Sequence, residues 1–228
     1  MFYRIIRLAV LPFFKWFFAI EIYGGFNIKK DNKVILASNH IAAADSIVLA
    51  IASHRKIHFI GKKEYFTGKG IKGKIIKYFM KGIGVIPVDR TGGQKSNQAL
   101  NTALQVLNKN QLFGIYPEGT RSPDGILYKG HTGVARLAYL TGSPIVPVGI
   151  QGTNLAQPIG KTIPKRAKVI VRIGKPIIVE RVNQTDINYD KLRQLTTRIM
   201  TEISKLSKQT VNSKIYGIDR KTKLNKNE

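Results

Sequence analysis

A histidine and an aspartate lie five residues apart in the segment SNHIAAADS, residues 38–46. An apolar run before it (34–37) predicts a buried strand, and a second run (47–52) predicts a helix with Asp45 near its start. His40 therefore falls where a strand ends and a helix begins, a position at which α/β folds place reactive groups. If the loop curls back, Asp45 can accept a hydrogen bond from one ring nitrogen of His40, and the other nitrogen can take a proton from a hydroxyl. The structural alternative is that Asp45 only caps its helix and His40 bonds a backbone carbonyl.

A second polar segment, YPEGTRS (116–122), directly follows an apolar run, and Arg90 follows another. Since the ends of parallel strands share one edge of a sheet, His40, Arg90 and this segment can meet in one pocket. Arginine suits phosphate because its planar fork gives paired hydrogen bonds, and turn amides near Gly119 and Thr120 add donors. A base beside such a site suits an acceptor that carries both a hydroxyl and a phosphate.

Structural interpretations of these residues remain open. Arg90 and Glu118 could form an ion pair, Gly119 could be needed only for its turn, and Thr120 could cap a following turn. The chain has no cysteine, which excludes a thiol nucleophile, and no GxSxG elbow, which is the signature of a hydrolase-type serine nucleophile. We expect no metal site, because the only closely spaced histidines, at 54 and 58, flank a predicted helix end and no HExxH motif is present.

The net charge of +25, from 38 Lys and Arg against 13 Asp and Glu, indicates an anionic partner. Residues 1–20 are rich in aromatic side chains, with a narrow basic stripe and a proline at 12, which favours a helix lying in a membrane interface. A cleaved signal peptide and a helix buried against the domain are the alternatives. Residues 62–81 contain seven lysines among apolar side chains, a pattern that suits anionic headgroups or a solvated face.

The rest of the chain alternates predicted strands and helices, and its 228 residues suffice for one α/β domain. We expect a mostly parallel sheet flanked by helices, preceded by the N-terminal membrane-interfacial helical segment. The predicted organisation has three parts, and these are an amphipathic segment at 1–28, the α/β domain at 29–210 and a basic, disordered tail at 211–228.

Together, the NHxxxxD and PEGTR patterns resemble the signatures of the glycerolipid acyltransferase family, whose best-known members are the 1-acyl-glycerol-3-phosphate acyltransferases. The resemblance runs from about residue 33 to residue 176. The segment GVIPVDR (84–90) is similar to the family's second block, and IVPV (145–148) to its fourth.

The resemblance implies transfer of an acyl chain from coenzyme A or acyl carrier protein to the 2-hydroxyl of 1-acyl-glycerol-3-phosphate, without a further cofactor. By resemblance His40 is the base and Asp45 orients it. The residues implied to hold the glycerol phosphate are Arg90, Glu118, Gly119, Thr120 and Arg121, with Lys129 as an extra contact. The implied partners are lysophosphatidate, the acyl donor and an anionic membrane, at whose cytoplasmic face the protein is expected as a peripheral or monotopic enzyme.

Other functions compete with this one. The acceptor could be glycerol-3-phosphate, another lysophospholipid or a lyso-aminolipid. From a different class, the chain could be a basic, non-catalytic membrane- or nucleic-acid-binding protein. We expect no nucleic-acid partner, because the sequence shows no helix-turn-helix, zinc-finger or RNP-type signature.

Overall fold

The computed structural model describes residues 6–29, 31–88, 95–161 and 163–213. The strands are Ile20–Tyr23 (β1), Val34–Ser38 (β2), Ile57–Lys62 (β3), Val85–Val88 (β4), Leu112–Ile115 (β5), Leu127–Tyr128 (β6), Ile145–Gln151 (β7), Val169–Ile173 (β8) and Val211–Asn212 (β9). Within the described ranges, seven of them form one sheet in the order β1-β8-β7-β2-β5-β3-β4, and β6 and β9 form a second, two-stranded sheet.

The larger sheet is parallel at every pair except β7 with β8. This confirms the predicted α/β fold with a mostly parallel sheet. The central strand β2 is buried along its whole length, which is typical of an apolar strand covered on both faces. Its carboxyl end leads directly into the loop that carries His40.

Helices cover both faces of this sheet. They are Leu11–Phe17 (α1), Asp45–Ala52 (α2), Glu64–Thr67 (α3), Gly70–Gly82 (α4), Lys95–Asn108 (α5), Gly133–Thr141 (α6), Thr153–Ala156 (α7) and Tyr189–Ser207 (α8), with a π-helical turn at Ile6–Val10 and 3-10 turns at Gly25–Asn27 and Gln184–Asp186. One apolar core packs α1, α2 and α4 against one face of the sheet, and a second core packs α5, α6 and α8 against the other.

The N-terminal segment supplies both a helix and a strand. Pro12 lies in the first turn of α1, and a π-helical turn ends directly before this helix. β1 lies within the predicted segment 1–28 and pairs in parallel with β8, so this segment also forms one edge of the domain's sheet. In the described ranges, no helix combines the length and apolar character that crossing a bilayer requires.

The chain after α8 returns to the body of the domain. Lys208, with φ of 55°, reverses the chain, and β9 then pairs in parallel with β6. The sequence predicted a disordered tail from residue 211, but Val211 and Asn212 are ordered because β6 provides them with a backbone partner. Residues 214–228 lie outside the described residues.

Candidate active site

His40 and Asp45 form a hydrogen-bonded pair after the carboxyl end of β2. His40 Nδ1 lies 2.8 Å from Asp45 Oδ2. The Asp45 side chain is fully buried, whereas 18% of the His40 side chain is exposed. The structure therefore brings together the two residues that the sequence paired. With Nδ1 held by the carboxylate, Nε2 is the ring nitrogen that can meet a substrate.

Three further donors hold the Asp45 carboxylate. Its Oδ2 also accepts hydrogen bonds from the backbone N–H groups of Ile41 at 2.7 Å and Ala42 at 2.9 Å, and its Oδ1 accepts one from Thr153 Oγ1 at 2.5 Å. Asp45 is also the first residue of α2, where the helix dipole favours a negative charge. A buried carboxyl group needs such partners because burial removes the water that would otherwise bond its oxygens. The role of Thr153 was not predicted, since its neighbours in the sequence carry no signal for it.

Glu118 joins the two loops that carry the site residues. Its Oε1 accepts a hydrogen bond from His40 N, and its Oε2 accepts one from Tyr128 N, both at 3.0 Å. The residue is 2% exposed, and burial raises the pKa of its carboxyl to about 7. Glu118 was predicted to hold the substrate, but the structure directs both of its oxygens to the backbone, beneath the site.

Only some of the other predicted binding residues line the cavity beside His40 in the described part of the chain. Gly119, Thr120 and Arg121 line the cavity next to His40, whereas Lys129 is not among the described residues that line it. Gly119 has φ of +72°, which favours glycine, and a Cβ there would lie 3.1 Å from the His131 ring. Arg90 lies outside the described residues.

Tyr116 supports the face of the His40 ring. The two rings stack with centroids 4.0 Å apart and an interplanar angle of 12°. Phe59 also stacks on Tyr116 with centroids 6.2 Å apart, and Tyr116 Oη lies 3.0 Å from Ser46 Oγ. Burial raises the pKa of Tyr116 well above its usual value, so its hydroxyl stays protonated. This role could have been suspected only because Tyr116 directly follows β5 and begins the predicted polar segment 116–122.

Asn39 fixes the end of β2 to β7. Its Nδ2 donates to Ile150 O and its Oδ1 accepts from Ile150 N, both at 2.8 Å. Asn39 is fully buried, so these bonds replace the water that its amide would otherwise need. Because Asn39 directly precedes His40, it anchors the backbone from which the base projects. No role was predicted for Asn39 from the sequence, although its position before His40 is a signal.

A cavity of about 760 Å³ opens beside His40. β3 and β5 pair only at their first two residues, Ile57 with Leu112 and His58 with Phe113, and the cavity is lined by the parts of both strands beyond this pairing. Its apolar side chains come from both faces of the sheet, and they include Ile47, Phe59, Phe79, Met80, Leu100, Ala103 and Val134. A cavity of this character suits a hydrocarbon chain.

Cationic side chains line the same cavity. Lys62 lies at the carboxyl end of β3, Arg121 follows Thr120, and Arg136 belongs to α6. His131 also lines the cavity, and burial lowers its pKa, so at neutral pH it contributes a neutral imidazole. From the sequence, Lys62 was predicted to belong with the surface lysines, and no role was predicted for Arg136. The cavity thus combines a base, an apolar lining and positive charge.

A family model described as Acyltransferase matches residues 19–151 of the chain, which include the His40–Asp45 pair and the 118–121 loop. The chain belongs to this acyltransferase family. This acyltransferase is 30% identical over 159 residues to the 1-acyl-sn-glycerol-3-phosphate acyltransferase of Bacillus subtilis (strain 168), covering 69% of this chain and 73% of the relative.

Two further proteins extend the comparison. This acyltransferase is 31% identical over 172 residues to the chloroplastic 1-acyl-sn-glycerol-3-phosphate acyltransferase LPAT1 of Arabidopsis thaliana, covering 75% of this chain but only 46% of that one. The crystal structure of the 1-acyl-sn-glycerophosphate (LPA) acyltransferase PlsC from Thermotoga maritima superposes with a TM-score of 0.63 at 24% identity, covering 88% of this chain and 80% of that one. The likeness to PlsC shows that the two proteins share a fold.

Proposed function

We propose that this acyltransferase moves a fatty acyl group from a thioester, on coenzyme A or acyl carrier protein, to the 2-hydroxyl of 1-acyl-sn-glycerol-3-phosphate, which yields phosphatidic acid. The observation that carries the proposal is the His40–Asp45 pair at a cavity with an apolar lining and cationic side chains. The names of the similar proteins from Bacillus subtilis and Arabidopsis thaliana support this choice of acceptor.

In the proposed reaction, His40 Nε2 takes the proton from the 2-hydroxyl as the oxygen attacks the thioester carbonyl. Asp45 stabilises the imidazolium that forms and keeps the ring in one orientation. The tetrahedral intermediate collapses with cleavage of the C–S bond, and the proton on His40 passes to the leaving thiolate. The products are the new ester and a free thiol, and His40 returns to its neutral form.

The cavity supplies two kinds of binding to these substrates. Its apolar side chains bind an acyl chain by the hydrophobic effect. Arg121, with Lys62 and Arg136, attracts the acceptor phosphate and the negative charge of the intermediate. Arg90 and Lys129 remain predicted phosphate ligands, and Glu118 contributes by holding the loop of His40 rather than by binding the phosphate.

We further propose that the protein is peripheral or monotopic at the cytoplasmic face of an anionic membrane. On α4, Ile71, Ile75 and Tyr78 recur on one face of the helix and are 80%, 64% and 54% exposed. α1 adds the exposed rings of Phe13 and Trp16. The two helices are adjacent, because the rings of Phe14 and Phe79 lie 6.3 Å apart. Lysines flank the apolar face of α4, and these are Lys72, Lys74 and Lys81.

The test is acyl transfer from a palmitoyl thioester to 1-acyl-glycerol-3-phosphate in mixed micelles. The wild type is compared with His40→Ala and with the matched control His54→Asn. His54 does not line the cavity, and its backbone is in the left-handed region, which asparagine adopts readily. We expect phosphatidic acid from the wild type and His54→Asn only. Turnover by His40→Ala would show that His40 is not the base. Turnover with glycerol-3-phosphate or another lysolipid, but not with lysophosphatidate, would show that the acceptor is that compound instead.

A further inference from the structure

The segment that follows α8 reaches the two loops of the active site. Lys208 reverses the chain, and Ser204 Oγ donates to Gln209 O at 2.6 Å, which fixes the turn. Leu127 N then donates to Thr210 O at 3.0 Å, where β9 begins to pair with β6. This segment lies beyond residue 151, where the match to the family model ends.

The side-chain amide of Gln209 bridges those loops. Gln209 Oε1 accepts a hydrogen bond from Asn39 Nδ2 at 2.7 Å, and Gln209 Nε2 donates to Gly125 O at 2.6 Å. Asn39 directly precedes His40, and Gly125 lies in the loop between Arg121 and β6. One neutral side chain therefore contacts both segments that build the site, without itself lining the cavity.

These bonds close a ring around the backbone of His40. Glu118 accepts from His40 N and from Tyr128 N, and Ser122 N donates to His40 O at 2.7 Å. Tyr128 belongs to β6, which pairs with β9, and the chain before β9 carries Gln209 back to the residue before His40. The backbone of the base is thus held at its N–H, at its C=O and through its preceding neighbour.

We propose that Gln209 is a positioning residue for His40, a role that rests on the acyl transfer proposed above. The site needs glutamine because the side chain must accept at one end and donate at the other. Without Gln209, one N–H of the fully buried Asn39 amide loses its partner while the other still donates to Ile150 O. We therefore expect the loop of His40 to loosen while the fold survives.

The kinetic test compares Gln209→Ala and Gln209→Glu with Gln194→Ala, a matched control at an exposed position of α8. A displacement of about 1 Å at a catalytic group costs about 10²-fold in rate. We expect kcat to fall about 10- to 100-fold in Gln209→Ala, with KM within about twofold because Gln209 does not line the cavity. Gln209→Glu keeps the acceptor for Asn39 but loses the donor to Gly125 O, so its kcat should be intermediate.

A second measurement does not depend on turnover. Hydrogen exchange of the His40 backbone amide should be at least tenfold faster in Gln209→Ala than in wild type, and unchanged in Gln194→Ala. The proposal would be overturned if Gln209→Ala kept the kcat and the His40 amide exchange rate of the wild type. It would also be overturned if KM rose by the same factor as kcat fell. If the wild type transfers no acyl group, the proposed function fails, and the exchange rates alone decide the positioning role. If Gln209→Ala does not fold, Gln209→Glu decides it.

Discussion

Replacing Thr153 with valine should weaken the catalytic pair without touching either member. Thr153 and Asp45 are fully buried. Among the described residues, Asp45 Oδ1 accepts one hydrogen bond, which comes from Thr153 Oγ1 at 2.5 Å. Valine has nearly the same shape but donates nothing, so one oxygen of a buried carboxylate loses its partner. Hydrogen bonds to charged groups contribute roughly 1.5–3 kcal/mol, which corresponds to a fall in Tm of about 3–12 °C in a domain of this size.

The same substitution should lower kcat by about tenfold, because Asp45 keeps its bonds to His40, Ile41 and Ala42 but can rotate about them. Thermal unfolding and steady-state acyl transfer measure the two effects, and Thr153→Ser, which retains the hydroxyl, is the control. If Thr153→Val has the same Tm and the same kcat as Thr153→Ser, then the Thr153 hydroxyl does not support the Asp45 carboxylate.

Glu118, Tyr116 and Ile75 each permit a separate test. The pKa of Glu118 is about 7 in the folded state and near 4.5 in the unfolded state. Between pH 4.5 and pH 7 the folded chain therefore binds more protons than the unfolded chain. Stability should therefore fall as pH rises from 5 to 8, and urea unfolding should show a decline of up to about 3 kcal/mol in wild type relative to Glu118→Gln. Tyr116→Phe keeps the ring stacked on His40 and should retain kcat within about threefold, whereas steady-state assays of Tyr116→Ala should show a loss of about tenfold. Ile75→Glu should weaken sedimentation with anionic vesicles by about tenfold or more, while Ile178→Glu, another exposed isoleucine, should bind like wild type.

The pH experiment needs its mutant reference because His58 acts in the opposite direction. Burial lowers the pKa of His58 to about 4, so the unfolded chain binds more protons between about 4 and 6.5 and stability rises with pH there. His58 is present in both wild type and Glu118→Gln, and its contribution cancels in their difference. If the difference in the free energy of unfolding between wild type and Glu118→Gln stays constant from pH 5 to 8, Glu118 does not take up a proton on folding.

The fold could be predicted where local patterns dominate. The apolar runs at 34–37 and 47–52 predicted β2 and α2 correctly, because a short run of apolar side chains marks an element that is buried against the core. The antiparallel entry of β8 was not predicted, since alternating burial does not reveal which neighbour a strand will pair with. β9 was missed because a two-residue strand depends on its partner rather than on its own composition.

The site could be predicted only in part for a similar reason. His40 and Asp45 are five residues apart, so one loop brings them together. Thr153 lies 108 residues from Asp45, and Gln209 lies 170 residues from Asn39. Such contacts depend on the strand order, which places β7 beside β2, and no local pattern determines that order.

The stacked rings of Phe59, Tyr116 and His40 have a consequence for conformational entropy. The His40 ring is held at one edge by Asp45 and on one face by Tyr116, which in turn lies against Phe59. Phe59 packs so closely over Gly114 that a Cβ there would come within 2.3 Å of its ring. The imidazole therefore has little rotamer freedom left to lose when substrate arrives, because folding has already removed it. The free energy of folding, rather than that of substrate binding, orders the base.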